Sequence, residues 1–453
     1  MVFAAVLGGV ILSMPRSAKP APESEPAPSP PPVSRLIWTY LSAEDSDAAD
    51  RALAEVLQDP RATLPTVESL LKADPAYAPQ PVGLIPENYV PLRGRRYHYG
   101  LFVPSAYDPT KPQALMICLH GMGFTGNAYV ERWATRLGDG YLLACPTLPR
   151  ADWWSRTASE LVLATIQEVQ RHYAVDPDRI FLTGMSNGGI GAYIIGMHHA
   201  DRFAALAPMA AGLEDVLFPF LQNLRQTPVY LLHGTTDEVM PIQLSRDIDA
   251  ELTKLGVAHV FREHDRRHPQ AGGHFFPRDE LPALVTWLHQ QRRTAVPKHL
   301  TVVRDASHLG ALSWARIDAT DRIAYFSDRL IDSKDDFIKK RIYAELDVAV
   351  TGPNRIEVRT TRVRRYSLYL NETLVDFAQP VTVIMPFTAG GGVDILARVM
   401  ANELTRILGQ SFVVVNRDGA SGTIGFAQLA QAKPDGYTLS ISPATPMTNT
   451  PHL

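Results

Sequence analysis

Cysteine is nearly absent from this chain: 453 residues carry two, Cys118 and Cys145. That excludes a disulfide scaffold, and no Cys-x-x-Cys or Cys/His spacing suggests a zinc site. Both cysteines sit inside apolar, strand-like runs, so two buried thiols are expected, and a single bridge between them is the alternative left open. The formal net charge is only -3, which gives no reason to expect nucleic acid or an acidic surface as partner. Short basic runs such as Arg93–Arg96 and Arg362–Arg365 read as solvated faces. No apolar run reaches the length of a membrane-spanning helix. Hydrophobic content of 45% and charged content of 20% are those of a globular protein with a sizeable core.

What the chain does have is one well-ordered phrase, IFLTGMSNGGIGAYIIGMHHA, at residues 180–200. A β-favouring run enters a glycine-flanked serine, and a mostly apolar, helix-length segment leaves it. Strand, tight turn and helix with serine at the apex is the Gly-x-Ser-x-Gly nucleophile elbow, so Ser186 is the candidate nucleophile. Around it, strand-like runs alternate with helix-like ones from 81 to 293, which predicts a doubly wound, mostly parallel sheet covered on both faces. Sites in such sheets form where the strands end.

Three strand ends carry chemistry. ALMICLHG runs into His120-Gly121-Met122-Gly123, a turn expected to supply an oxyanion-hole N–H, with Met122 and Gly123 as candidates and Asn187 supplying the other. His120 itself has an orienting role as its modest reading. PVYLLHGT ends in HGTTDEVMP, with Asp237 as candidate acid and Glu238 as the alternative; either carboxylate instead caps the following helix on the bland reading. HDRRHPQAGGHFFP offers His264, His268 and His274. Gly272 and Gly273 free the last of these to reach back to a serine, so His274 is the expected base and the other two are expected on the surface.

These blocks, GMSNGG, DRFAALAPMAAG, HGTTDEVMP and GGHFFP, resemble those of the polyhydroxybutyrate-depolymerase and feruloyl-esterase-like group of α/β-hydrolases. The resemblance implies a serine hydrolase of carboxylic esters with Ser186, Asp237 and His274 as its triad and no cofactor or metal. It also implies that Trp153 and Trp154 lie near the mouth as substrate-binding residues, against the plainer reading of a core pair. Small-molecule and polymeric esters both fit such a site. A prolyl-oligopeptidase-type serine peptidase is the alternative enzyme, and a solute-binding protein the alternative from another class.

The flanks differ in character. Residues 1–33 combine an apolar start, Met1–Met14, with a Pro-rich stretch ending in PSPPP. They suggest a signal-like segment or membrane anchor with a stiff spacer, and hence export to a periplasmic, secreted or membrane-anchored location. Residues 34–80 show helical spacing and read as a helical preface. From 297 to 380 short alternating runs, including HLTVVRDA, RIAYFS and YAELDVAV, predict a small β-rich module. From 381 to 453 the phrases VTVIMPFTAGGGVD, NRDGASGTIG and KPDGYTL resemble the opening of the periplasmic solute-binding proteins of tripartite tricarboxylate transporters. Only part of such a binder is present, so a partial α/β fragment is expected. The Gly390 run lacks the Gly-Lys-Ser/Thr of a phosphate loop.

Overall fold

The computed structural model describes residues 32–41, 46–72, 77–307, 310–326, 336–352, 354–376, 381–385, 389–419, 422–433 and 436–441. The apolar start and most of the Pro-rich stretch lie outside them. The chain divides into two compact units, 1–74 and 75–453. The first contains three short helices, α1 (Val33–Leu41), α2 (Ser46–Gln58) and α3 (Leu64–Lys72). No helix among the described residues is long and apolar enough to cross a membrane.

The second unit is built on an eight-stranded sheet. Its strands are β1 (Gly83–Leu92), β2 (Arg95–Val103), β3 (Gln113–Leu119), β4 (Leu142–Pro146), β5 (Val175–Met185), β6 (Ala205–Met209), β7 (Val229–Gly234) and β8 (His259–His264). The spatial order is β1-β2-β4-β3-β5-β6-β7-β8. β1 and β2 join antiparallel, and β4, β3 and β5 to β8 are all parallel. Parallel strands need crossovers, and helices α4 (Gly126–Leu137), α5 (Arg156–His172), α6 (Asn187–His198), α7 (Gln243–Leu255) and α8 (Leu281–His289) lie between or after them. β3, β4 and β6 are buried along nearly their whole length, as strands covered on both faces must be. Cys118 and Cys145 are free thiols on neighbouring strands β3 and β4, both buried.

β1 escapes a pattern reading because GLIPENYVPL contains Pro86 and Pro91. An edge strand tolerates proline, and a bulge between Ile85 and Asn88, with Glu87 at φ 61°, absorbs the irregularity.

Two three-stranded antiparallel sheets follow. One is β10 (Ala311–Leu312), β11 (Ala315–Thr320) and β14 (Val363–Leu368); the other is β9 (His299–Arg304), β12 (Ala344–Gly352) and β13 (Arg355–Thr361). A single turn of helix, α9 (Asp336–Lys339), lies between β11 and β12. The expected strand RIAYFS is not one. Residues 323–326 run as irregular chain, with Ala324 and Phe326 buried and Ala324 bonded through its backbone to Ala306 and Ile342. This module shares the core of the eight-stranded sheet. Asn223 places its amide against β9, giving Nδ2 to Val303 O at 3.0 Å and taking Val303 N–H at 2.7 Å, as a neighbouring strand would.

A small parallel sheet ends the described chain, in the order β16 (Phe412–Asn416), β15 (Val381–Met385), β17 (Thr438–Ser440), with helices α10 (Gly392–Leu408) and α11 (Thr423–Gln431) as its crossovers.

Candidate active site

The elbow between β5 and α6 is set by backbone contact. A Cβ on Gly184 would fall 2.2 Å from Gly188 O, and one on Gly188 would fall 2.0 Å from Leu119 O, so only glycine fits either place. Ser186 between them takes φ 59° and ψ −125°, a conformation that costs a non-glycine residue on the order of 1–3 kcal/mol. Its N–H is held by Met209 O at 3.0 Å, and its carbonyl accepts from Gly189 and Ile190 at the start of α6. α6 is apolar all round and buried, which fixes the elbow from behind. Asn187 is its first residue, so its N–H belongs to the group without an intrahelical acceptor.

The turn after β3 lies against the elbow. A Cβ on Gly121 would sit 3.7 Å from Ser186 Cβ and 3.4 Å from Met185 O. Met122 is exposed beyond it and Gly123 has φ 81°. His120, by contrast, is buried and bonded at both ring nitrogens. Leu148 N–H reaches Nε2 at 3.1 Å, so Nε2 is the acceptor and Nδ1–H donates to Gly121 O at 2.9 Å. Burial pushes the His120 imidazole below its usual range, against the opposing pull of Gly121 O.

Trp153 belongs behind this turn. It is fully buried, its indole N–H donates to His120 O at 2.8 Å, and its ring meets the His120 ring edge-on. The expectation that Trp153 contacts substrate is therefore corrected: its one polar group is spent on the backbone, and its faces are packed. Trp154 is half-buried and packs against the same core.

The acid and histidine loops meet through glycines. A Cβ on Gly234 would lie 2.3 Å from Gly273 O, and one on Gly273 would lie 2.7 Å from Asp237 N. Gly273 N–H donates to Thr236 O at 2.9 Å, and Asp237 bridges Gly272. This contact brings His274 Nδ1 to 2.7 Å from Asp237 Oδ2, with both side chains almost wholly buried. Asp237 Oδ1 accepts from Val239 and Met240 N–H, each at 2.8 Å. Burial tends to raise the Asp237 carboxyl, but hydrogen bonds from His233, His274 and the two N–H groups outweigh it and hold the group well below the usual carboxylate range. Glu238 turns outward and pairs with Arg267 at 2.7 Å.

Of the other histidines, His268 is exposed as expected. His264 is not: it is buried beneath the loop it was expected to leave, with Nε2–H donating to Phe275 O at 3.1 Å. It closes β8, but its side chain turns inward and supports the segment carrying His274. His233 attracted no notice in the sequence, although it stands four residues before Asp237. It is fully buried, with Nε2 3.2 Å from Asp237 Oδ2. A histidine ending an apolar strand just before Gly-Thr-Thr-Asp was the available signal.

Ser186, the turn at Gly121–Gly123, Asp237 and His274 follow the carboxyl ends of β5, β3, β7 and β8. The strand order and the elbow are those of the α/β-hydrolase fold. Among known proteins, the family model described as the tripartite tricarboxylate transporter family receptor matches residues 396–453. Protein BugT of Bordetella pertussis is 49% identical over 65 residues, 14% of this chain and 20% of that protein. The probable feruloyl esterase C of Aspergillus flavus is 29% identical over 154 residues, 32% of this chain and 56% of that one. A solved thermostable esterase aligns with TM-score 0.36 and 23% identity over 44% of this chain and 60% of its own. The chain thus spans about a fifth of Protein BugT and little more than half of the feruloyl esterase.

Proposed function

We propose that the chain hydrolyses carboxylic esters through an acyl-enzyme intermediate. Ser186 Oγ attacks the ester carbonyl while His274 Nε2 takes its proton, and Asp237 holds Nδ1–H and balances the imidazolium. The N–H groups of Asn187 and of the Met122-Gly123 turn receive the oxyanion, aided by the N-terminus of α6. His274 then protonates the departing alcohol, and water releases the acid by the reverse sequence. The observation that carries this reading is the buried Asp237–His274 pair at 2.7 Å, on the same sheet edge as a serine in a strained elbow. No hydrogen bond joins Ser186 to His274 among the described residues; such contacts are long without substrate and tighten in the Michaelis complex. The likeness of one stretch to a feruloyl esterase supports the same class. The likeness of the tail to a transporter family receptor supports export.

Ser186→Ala is expected to lower turnover of p-nitrophenyl acetate by at least about 10⁴-fold and to abolish labelling by a fluorophosphonate probe, with the circular dichroism spectrum unchanged. A folded alanine variant with near-normal turnover refutes the assignment.

A further inference from the structure

We propose that His233 is a positioning residue for ester hydrolysis, acting through Asp237. The inference rests on the ester-hydrolase reading above. His233 is the penultimate residue of β7 and has no exposed surface. Its Nε2 faces two groups that only accept, Met240 O at 2.9 Å and Asp237 Oδ2 at 3.2 Å, so Nε2 carries a proton and donates. Its Nδ1 lies 2.7 Å from Ser245 Oγ, and that hydroxyl lies 2.9 Å from Ala211 O, just beyond β6. The ring is therefore pinned at one end to α7 and the β6 loop, and at the other to the acid loop.

The consequence falls on the carboxylate. Asp237 Oδ1 is saturated by the N–H groups of Val239 and Met240, and Oδ2 is shared between His274 Nδ1–H and His233 Nε2–H. These contacts, with the His233 Nε2–H shared between Met240 O at 2.9 Å and Oδ2 at 3.2 Å, hold the carboxylate in one orientation. Without His233 the two backbone donors still hold Oδ1, but Oδ2 can swing about that anchor, and His274 swings with it. A reacting imidazole misplaced by a fraction of an ångström loses rate without losing ground-state binding. Filling the core is a separate role, and an apolar side chain of similar size fills it equally well.

The test compares His233→Leu, His233→Gln and Asp237→Asn, alone and combined, on p-nitrophenyl acetate, with thermal unfolding of each variant. His233→Leu is expected to lower kcat about 10- to 100-fold and to leave KM within about threefold. His233→Gln, whose amide nitrogen reaches the position of Nε2, is expected to recover most of the loss. In the background of Asp237→Asn, His233→Leu is expected to add less than about threefold, because both act through one carboxylate. A folded His233→Leu enzyme with normal kcat overturns the proposal, as do losses that multiply in the double variant. Should the leucine variant not fold, the glutamine variant decides: turnover near normal supports the role, and a folded glutamine variant with kcat lowered about 10-fold or more overturns it. An active Ser186→Ala enzyme refutes the hydrolase reading itself, whereas an inactive one beside a fully active His233→Leu refutes only the positioning role.

Discussion

The carboxylate of Asp237 accepts from two backbone N–H groups and two imidazoles in a place where burial alone would favour its protonated form. Its value in the folded chain lies below the ordinary one near 3.8, so the ionised form adds stability at pH above about 4. That contribution is lost as pH falls through the unfolded value toward the depressed folded one. The unfolding midpoint of the wild type should therefore drop more steeply between about pH 5 and 2 than that of Asp237→Asn, and parallel curves would contradict the hydrogen-bond argument. The same substitution should leave more activity than His274→Ala, which removes the proposed base outright. His120 makes the opposite demand. It must be neutral to accept Leu148 N–H, and burial favours that form. His120→Phe fills the space without either bond. Its expected effect is a kcat about 10-fold lower or worse on a short ester, with KM little changed, since in the proposed mechanism the loosened turn carries an oxyanion donor.

Between elements, glycine contacts set how close the loops come. Gly273 lets the histidine loop rest on the backbone of the acid loop, and a methyl group there would meet Asp237 N at 2.7 Å. Gly273→Ala should leave the sheet and its unfolding transition largely intact while pushing the loops apart, with kcat down by about 10²-fold. Kinetics beside circular dichroism check it: a folded alanine variant with normal kcat shows that the loops yield without cost. Gly188→Ala differs in kind, because its methyl would meet Leu119 O at 2.0 Å, in the centre of the sheet. That variant should fold poorly, if at all. The supporting cast is also local: Trp153 holds the turn after β3 from behind, and His264 supports the loop after β8.

At the scale of the whole molecule, the β-rich module and the tail relate differently to the eight-stranded sheet. Leu300, Val302, Leu346 and Val348 of the module belong to one continuous core with Leu217, Phe220 and Leu221. Module and sheet should therefore melt together. Leu346→Ala, which opens a cavity in that shared core, should cost about 2–5 kcal/mol and lower the midpoint of esterase inactivation along with that of unfolding. Two separate transitions would show the module to be independent. The tail presents Leu396, Val399, Met400, Ile407 and Leu408 to solvent along α10. Removing residues 381–453 is expected to leave turnover of a short ester within a few-fold and to reduce self-association in sedimentation. A large loss of activity in a folded, shortened chain would mean that the tail completes the site.

The strand-elbow-helix phrase around Ser186, the alternation of strands and helices and the change of character after 297 were legible because each is local: a glycine-flanked turn, a period or a break in period. The choice of Asp237 over Glu238 and of His274 over its neighbours was a reading of loop placement. The structure bonds Asp237 to His274 and turns Glu238 outward. Trp153, His264, His233 and the edge strand β1 were not readable. Their roles depend on which neighbour, distant in sequence, occupies the other side: His120 O for Trp153, Phe275 O for His264, Ser245 and Met240 for His233, and open solvent for the prolines of β1. Periodicity and turn chemistry act over a few residues and are written into the chain. Hydrogen-bond partners across 7 to 33 residues exist only once the sheet has closed, so the tertiary structure alone decided whether a tryptophan or a histidine binds, supports or fills.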